Sequence, residues 1–205
     1  MAIRSKRNAR KKAVVIVAHP DDETIWMGGF ILEHSEFDWT ILSLCRASDA
    51  DRAPKFKKVC ERYGAKGLIE DGDDEDRLDF DGKIREIKHI ISKHLAGEDI
   101  HILFTHGRNG EYGHEGHVAT HEAVISLLKN EIIATENAFC FSYVKADRKQ
   151  FGKLRAAKNS DMEIGLSKKT FAAKLAIMTD IYGFAAGGID ASYCTNPEAF
   201  RKLAY

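Results

Sequence analysis

Residues 13–18 read Ala-Val-Val-Ile-Val-Ala, with nothing polar on either side of the pleat. A strand alternates its side chains between two faces, so an unbroken apolar run is stable only where both faces are covered. Four more short runs are strand candidates: 39–45 (WTILSLC), 66–70 (KGLIE), 100–105 (IHILFT) and 138–144 (AFCFSYV). Between them lie segments of helical period at 23–35, 52–63, 83–96 and 115–130. In the third, Ile84, Ile87, Ile91 and Leu95 share one face. Residues 167–183 and 197–204 also read as helices. Strands alternating with helices predict an α/β chain with a doubly wound, mostly parallel sheet. No repeat or long linker divides the sequence, so residues 1–205 are expected to form a single domain, with 1–12 (MAIRSKRNARKK) as a flexible basic arm.

Charge narrows the function classes. Lys plus Arg and Asp plus Glu both number 31, so the overall balance favours neither nucleic acid nor an anionic membrane. The apolar stretch after the basic arm is too short for a signal peptide or a membrane helix. Cys45, Cys60, Cys140 and Cys194 are widely spaced, without a CxxC pair. They read as free thiols of a cytoplasmic protein. The acidic stretch 70–82 (EDGDDEDRLDFDG) carries Asp76 where a calcium loop would need glycine, and reads as a solvated loop or a contributor to substrate contacts.

The first apolar run stops at His19-Pro20-Asp21-Asp22-Glu23. Pro20 keeps His19 out of helical geometry, as befits a strand end. Asp21 or Asp22 can cap the following helix. Capping leaves His19, the second aspartate and Glu23 without an account; His19 and Asp22 can aim at one point, as metal ligands do. Capping plus a satisfied histidine remains the alternative. A nucleotide site is disfavoured, since the loop has no GxGxxG or GxxxxGK[ST] and Gly28-Gly29 comes too late.

The fourth run ends at Thr105-His106, followed by the glycine-rich GRNGEYGHEGHVATHEAV. His114, His117 and His121 fall on one helical face. In a sheet of order 3-2-1-4-5, strands one and four are neighbours, and the crevice at their carboxyl ends is where ligands bind. His19 and Asp22 should therefore meet His114 and His117 there, although His19 and His114 are roughly 95 residues apart. A His19, Asp22, His117 set suits a catalytic Zn2+ with a position left for water. Asp21 is placed to be the base for that water, and His114 to be the acid or oxyanion stabiliser.

The His19-Pro20-Asp21-Asp22-Glu23 block after strand one and His114-x-x-His117 after strand four resemble the LmbE/PIG-L family of zinc-dependent N-acetylglucosaminyl deacetylases. The resemblance is sharp over 13–30 and 100–125. It implies a Rossmann-like three-layer fold, Zn2+ on His19, Asp22 and His117, Asp21 as base, and His114 stabilising the oxyanion. It implies removal of an acyl group from an N-acylated sugar or glycoconjugate. Arg52, which opens the helix after strand two, is a candidate substrate contact on the same ground. His106 is a second candidate contact, with a supporting or structural place as its alternative. Residues 145–205 match no readable pattern.

Three rival readings keep parts of this site. Two histidines and a carboxylate also describe non-haem iron(II) oxygenases, with Fe2+ in place of zinc, although Asp21 has no use there. A binding protein with a vestigial site is the second. The third is an amidase acting on a thiol conjugate or a non-sugar amide.

Overall fold

Strand β1 (Lys12–Val17) sits mid-sheet because its two faces feed two cores. Ala13, Val15 and Val17 pack with Trp26, Phe56 and Phe104 on one side, while Val14 and Ile16 pack with Ile91, Leu103 and Val124 on the other. All five strand residues are fully buried. Each valine or isoleucine so placed contributes roughly 1.5–3 kcal/mol. The computed structural model describes residues 10–147 and 153–205, so most of the expected basic arm lies outside the described residues.

The elements alternate as the sequence predicts. Helix α1 (Asp22–Glu33) leads to β2 (Asp38–Ser43), α2 (Arg52–Tyr63), β3 (Lys66–Ile69), α3 (Phe80–Leu95) and β4 (Asp99–Thr105). A short turn of helix, α4 (Gly110–Gly113), precedes α5 (Glu115–Lys129) and β5 (Ala134–Phe141). These five strands are parallel, in the expected order β3-β2-β1-β4-β5. The result is a Rossmann-like α/β fold with helices on both faces of a mostly parallel sheet.

The C-terminal third departs from expectation. Residues 143–145 do not continue β5; they form β6 (Tyr143–Lys145), which pairs with β7 (Leu154–Ala156) in a separate two-stranded sheet. β8 (Met162–Ile164) follows, then α6 (Lys168–Ala176), a π-helical turn (Ile177–Ile181) and α7 (Ile189–Tyr193). The stretch read as a helix at 197–204 is instead β9 (Glu198–Lys202), lying antiparallel between β5 and β8. Phe200 and Leu203, three apart, mimic a helical face, but unpaired backbone at the β5 edge outweighs so short a local signal.

Helix α1 is tied to this edge. Its backbone leaves helical geometry at Met27, and the amides of Gly29 and Phe30 donate to the Glu198 carboxylate at 2.8 and 2.7 Å. Lys174 Nζ of α6 completes the cluster at 2.7 Å, and both charged side chains are fully buried. Gly29 permits the close approach: a Cβ there would lie 2.3 Å from Leu166 Cδ1. Lys174→Met should therefore strand an uncompensated carboxylate and lower unfolding free energy by about 3–5 kcal/mol. Urea denaturation followed by circular dichroism checks this; a loss below about 1 kcal/mol would show that the pair is not needed.

Candidate metal and catalytic centre

The centre lies at the carboxyl ends of β1 and β4, where the backbone turns sharply into α1. Asp21 has φ 129° and ψ −30°, a region that L residues rarely adopt. Its carbonyl accepts the amides of Thr24 and Ile25, both at 2.9 Å, so its backbone starts the helix. Its side chain caps nothing, contrary to one reading of the sequence. Nor is Asp22 a cap: its Oδ2 accepts the amide of His19 at 2.9 Å, and its Oδ1 accepts Trp26 Nε1 at 2.9 Å.

Asp22 Oδ2 is the hub. His19 Nδ1 lies 3.1 Å from it and His117 Nε2 3.4 Å. His117 Nε2 is buried and has no hydrogen-bond partner among the described residues. The far side of each ring explains which nitrogen faces in. His117 Nδ1 is 2.6 Å from Glu111 Oε2, and His19 Nε2 is 2.9 Å from Asp74 Oδ1. A carboxylate behind an imidazole fixes the tautomer and leaves the other nitrogen to a cation. Burial alone would lower the His19 pKa, but hydrogen bonds to Asp22 and Asp74 outweigh it and raise it to about 9. The site is thus built around positive charge. Burial pushes the Asp22 pKa up, but His117 and His106 pull it well below the usual carboxylate range.

This donor set fits a divalent ion. Ligand bonds of about 2.0–2.2 Å at tetrahedral angles place donor atoms about 3.3–3.6 Å apart, near the 3.1 and 3.4 Å that separate Asp22 Oδ2 from His19 Nδ1 and His117 Nε2. Three overlapping groups, His19 with His114 and His117, His19 with Cys45 and Asp74, and Asp22 with His106 and His117, each offer three donor atoms within 4.8 Å of one another; His19, Asp22 and His117 are drawn from the first and the last.

The remaining predicted residues divide. Asp21 Oδ2 accepts Arg52 Nη1 at 2.8 Å, and the Arg52 guanidinium lies over the Phe184 ring at 4.5 Å. Burial and the charge of Asp22 push the Asp21 pKa well up, with Arg52 opposing. His114 faces the cleft; its Nδ1 accepts the Gly116 amide at 3.2 Å, so the proton is on Nε2. Burial and the neighbouring His117 and His19 lower its pKa to about 4. It is a neutral donor, not the protonated acid that an acid role would require.

His106 does not line the cleft, which corrects its place as a candidate substrate contact. It is fully buried, stacked on His117 at 3.9 Å between centroids. Its Nε2 accepts the Ala18 amide at 3.0 Å and its Nδ1 is 2.9 Å from Glu111 Oε2. Its two nitrogens thus tie the end of β1 to α4, and its Nε2 also lies 3.5 Å from Asp22 Oδ2. His121 Nδ1 in turn reaches the His106 carbonyl at 2.9 Å.

Glu111 and Asp74 were not singled out from sequence. Their signal was present: a buried ligand histidine needs a carboxylate behind it, and Glu111 lies in α4 after strand β4 and Asp74 in the acidic stretch after β3. Asp74 comes from the acidic stretch and is clamped by Arg46 Nε at 2.8 Å. The cleft itself has a volume of about 200 Å³. Trp26, Tyr112 and Tyr193 supply aromatic wall, and Arg46, Arg52 and Asp190 line it with charge. Trp26 is fully buried yet reaches the wall of this cleft.

The sequence profile of PIG-L, described as GlcNAc-PI de-N-acetylase, matches residues 14–128, more than half of the chain. The protein belongs to the PIG-L family. Solved structures with the same fold include the N,N'-diacetylchitobiose deacetylase of Pyrococcus horikoshii, with TM-score 0.67 and 14% identity over 94% of this chain and 84% of that one. A deacetylase of the teicoplanin biosynthetic pathway aligns with TM-score 0.66 and 12% identity, over 94% and 97% of the two chains. GalB, the 4-carboxy-2-hydroxymuconate hydratase of Pseudomonas putida KT2440, aligns with TM-score 0.62 and 15% identity, over 95% and 97%. No curated protein sequence matches the chain. At these identities the likeness is one of fold, and the PIG-L fold also houses a hydratase, so activity has to be argued from the site. Among the described residues no helix is long and apolar enough to cross a membrane, and all four cysteines are free and buried.

Proposed function

We propose that the protein is a hydrolase that removes an acetyl group from an N-acetylated sugar or sugar conjugate, with Zn2+ held by His19, Asp22 and His117. The observation that carries this reading is the unpartnered, buried His117 Nε2 aimed at Asp22 Oδ2 beside His19, with a second carboxylate, Asp21, turned into the same cleft. Bound there, zinc supplies Lewis acidity, polarising a carbonyl and lowering the pKa of water toward ~7.

The chain supplies the rest. Asp21 takes a proton from the attacking water and returns it to the departing amine. Arg52 orients Asp21 and keeps it ionised more readily than burial alone would. His114 Nε2–H donates to the carbonyl oxygen as negative charge develops on it. Tyr112, Tyr193 and the edge of Trp26 offer apolar faces to a sugar ring, and Arg46 and Asp190 offer partners for its hydroxyls. An oxygenase would have no use for Asp21 beside a ligand.

The test is acetate release from free, nucleotide-linked, lipid-linked and thiol-linked N-acetyl sugars, with and without a chelator. Release that zinc restores after chelation supports the reading. No release from any of them, with zinc bound, would sink it.

The pH profile should be one-sided. The Asp21 pKa is raised, so kcat/KM should fall as pH drops through that raised value. Arg52 opposes the rise, so Arg52→Met should move the acidic limb to higher pH. His114 is already neutral, so it should add no basic limb between about pH 6 and 9. A limb that stays in place in Arg52→Met would show that another group controls it.

A further inference from the structure

Glu23 is the one acid of the His19–Glu23 block that faces neither the cleft nor the donor cluster. It is fully buried, and no cation among the described residues pairs with it. Its Oε2 accepts the Asp21 amide at 3.1 Å; its Oε1 accepts Thr24 Oγ1 at 2.7 Å and Tyr182 OH at 2.8 Å. A buried carboxylate held only by neutral donors is expensive to keep, and an amide or an apolar group would fill the space more cheaply.

Its geometry suggests what it is kept for. At an ordinary helix start the first residue's own side chain accepts a free amide of the first turn. Here Asp21 stands at that position and its side chain does no capping. Glu23 reaches back from inside the helix to the Asp21 amide, much as the glutamate of a capping box does. The bond secures the Asp21 amide while its backbone sits at φ 129°, the conformation in which the Asp21 carboxylate faces the cleft. The other end of Asp21 is held by Arg52, which rests on Phe184. Tyr182 and Phe184, two residues apart in the C-terminal region, thus support both ends of Asp21.

We propose that Glu23, held by Tyr182, is the positioning residue for Asp21: by accepting the Asp21 amide it holds that backbone at positive φ, from which the Asp21 carboxylate points into the cleft. The inference rests on the hydrolase reading for its kinetic consequence, but its structural half stands alone.

The experiment uses Glu23→Gln, Glu23→Ala and Tyr182→Phe in the full chain, with a crystal structure, metal content, kcat and KM for each. Glutamine can still accept the Asp21 amide and donate to the two hydroxyls; alanine cannot. Glu23→Ala should turn Asp21 out of positive φ and lower kcat by about 10- to 100-fold with KM within about 3-fold, since misplacing a reacting group by an ångström has that scale of effect. Metal content should be unchanged. Glu23→Gln should recover kcat to within about 5-fold, and Tyr182→Phe should lower it by about 3- to 10-fold. If Glu23→Ala fails to fold, the other two variants decide on the same readouts. Asp21 holding φ near its present value against Arg52 in Glu23→Ala would overturn the proposal, as would Glu23→Gln losing activity with Asp21 in place. If the native chain releases no acetate, the hydrolase reading falls, and the Asp21 conformation in the variants still decides this one.

Discussion

Asp21→Asn should lower kcat by about 10²- to 10⁴-fold, the usual worth of a general base, while the purified protein keeps its metal. Asparagine has the size of aspartate and retains an oxygen that can accept from Arg52 Nη1, which now lies 2.8 Å from Asp21 Oδ2. Geometry should survive; what disappears is the ability to take a proton. The neighbouring Asp22→Asn should do the opposite. Asp22 Oδ2 is the atom on which His19 Nδ1 and His117 Nε2 converge, and a neutral amide there offers a weaker donor. Metal affinity should fall by roughly 10-fold or more, with activity falling in step. Metal content and turnover measured on the same two preparations separate the roles. Loss of metal in Asp21→Asn with retention in Asp22→Asn would exchange them, and full activity with full metal in Asp21→Asn would refute the hydrolytic mechanism.

His117→Ala should remove most of the bound metal and with it nearly all turnover, because it deletes the one donor whose lone pair has no other use. The more discriminating companion is Glu111→Gln. Glu111 Oε2 accepts from both His106 and His117 Nδ1, and its Oε1 accepts the Gly107 amide at 2.6 Å. A glutamine has one oxygen for these three donors, and its NH2 facing His117 Nδ1 would favour the wrong tautomer, with a proton on Nε2. Metal affinity should then drop by roughly 10- to 100-fold although no ligand has been touched. Competition titration against a chromophoric chelator measures this. Native affinity in Glu111→Gln would mean that stacking on His106, rather than the carboxylate, orients the ring.

How much of this was legible beforehand depends on how local the cause is. The β1 run was readable because an unbroken apolar strand has one stable setting, between two covered faces. His19, Asp21, Asp22, His114 and His117 were readable because strand order alone brings the ends of β1 and β4 together, whatever the packing details. His106 was placed correctly along the chain and wrongly in space: its neighbours could not say that both ring nitrogens would be spent inside the protein. His114 was expected to serve as acid or oxyanion stabiliser, and only its burial and the proximity of His117 and His19, which lower its pKa, favour the second role.

The sequence by itself determined the alternation of elements, the parallel core of the sheet and the five polar residues that gather at the ends of β1 and β4, because these follow from side-chain periodicity and chain order. Tertiary structure alone decided the rest. That 198–202 is a strand depends on the open edge of β5, not on the residues' own preference. That Asp21 is turned out, Glu23 in and Asp74 behind His19 depends on hydrogen bonds to Tyr182, Arg52 and Arg46, each reaching across 28 to 159 positions of chain. A donor and acceptor so far apart leave no periodic trace, since their pairing is set by the fold that brings them together and not by anything either residue shares with its neighbours.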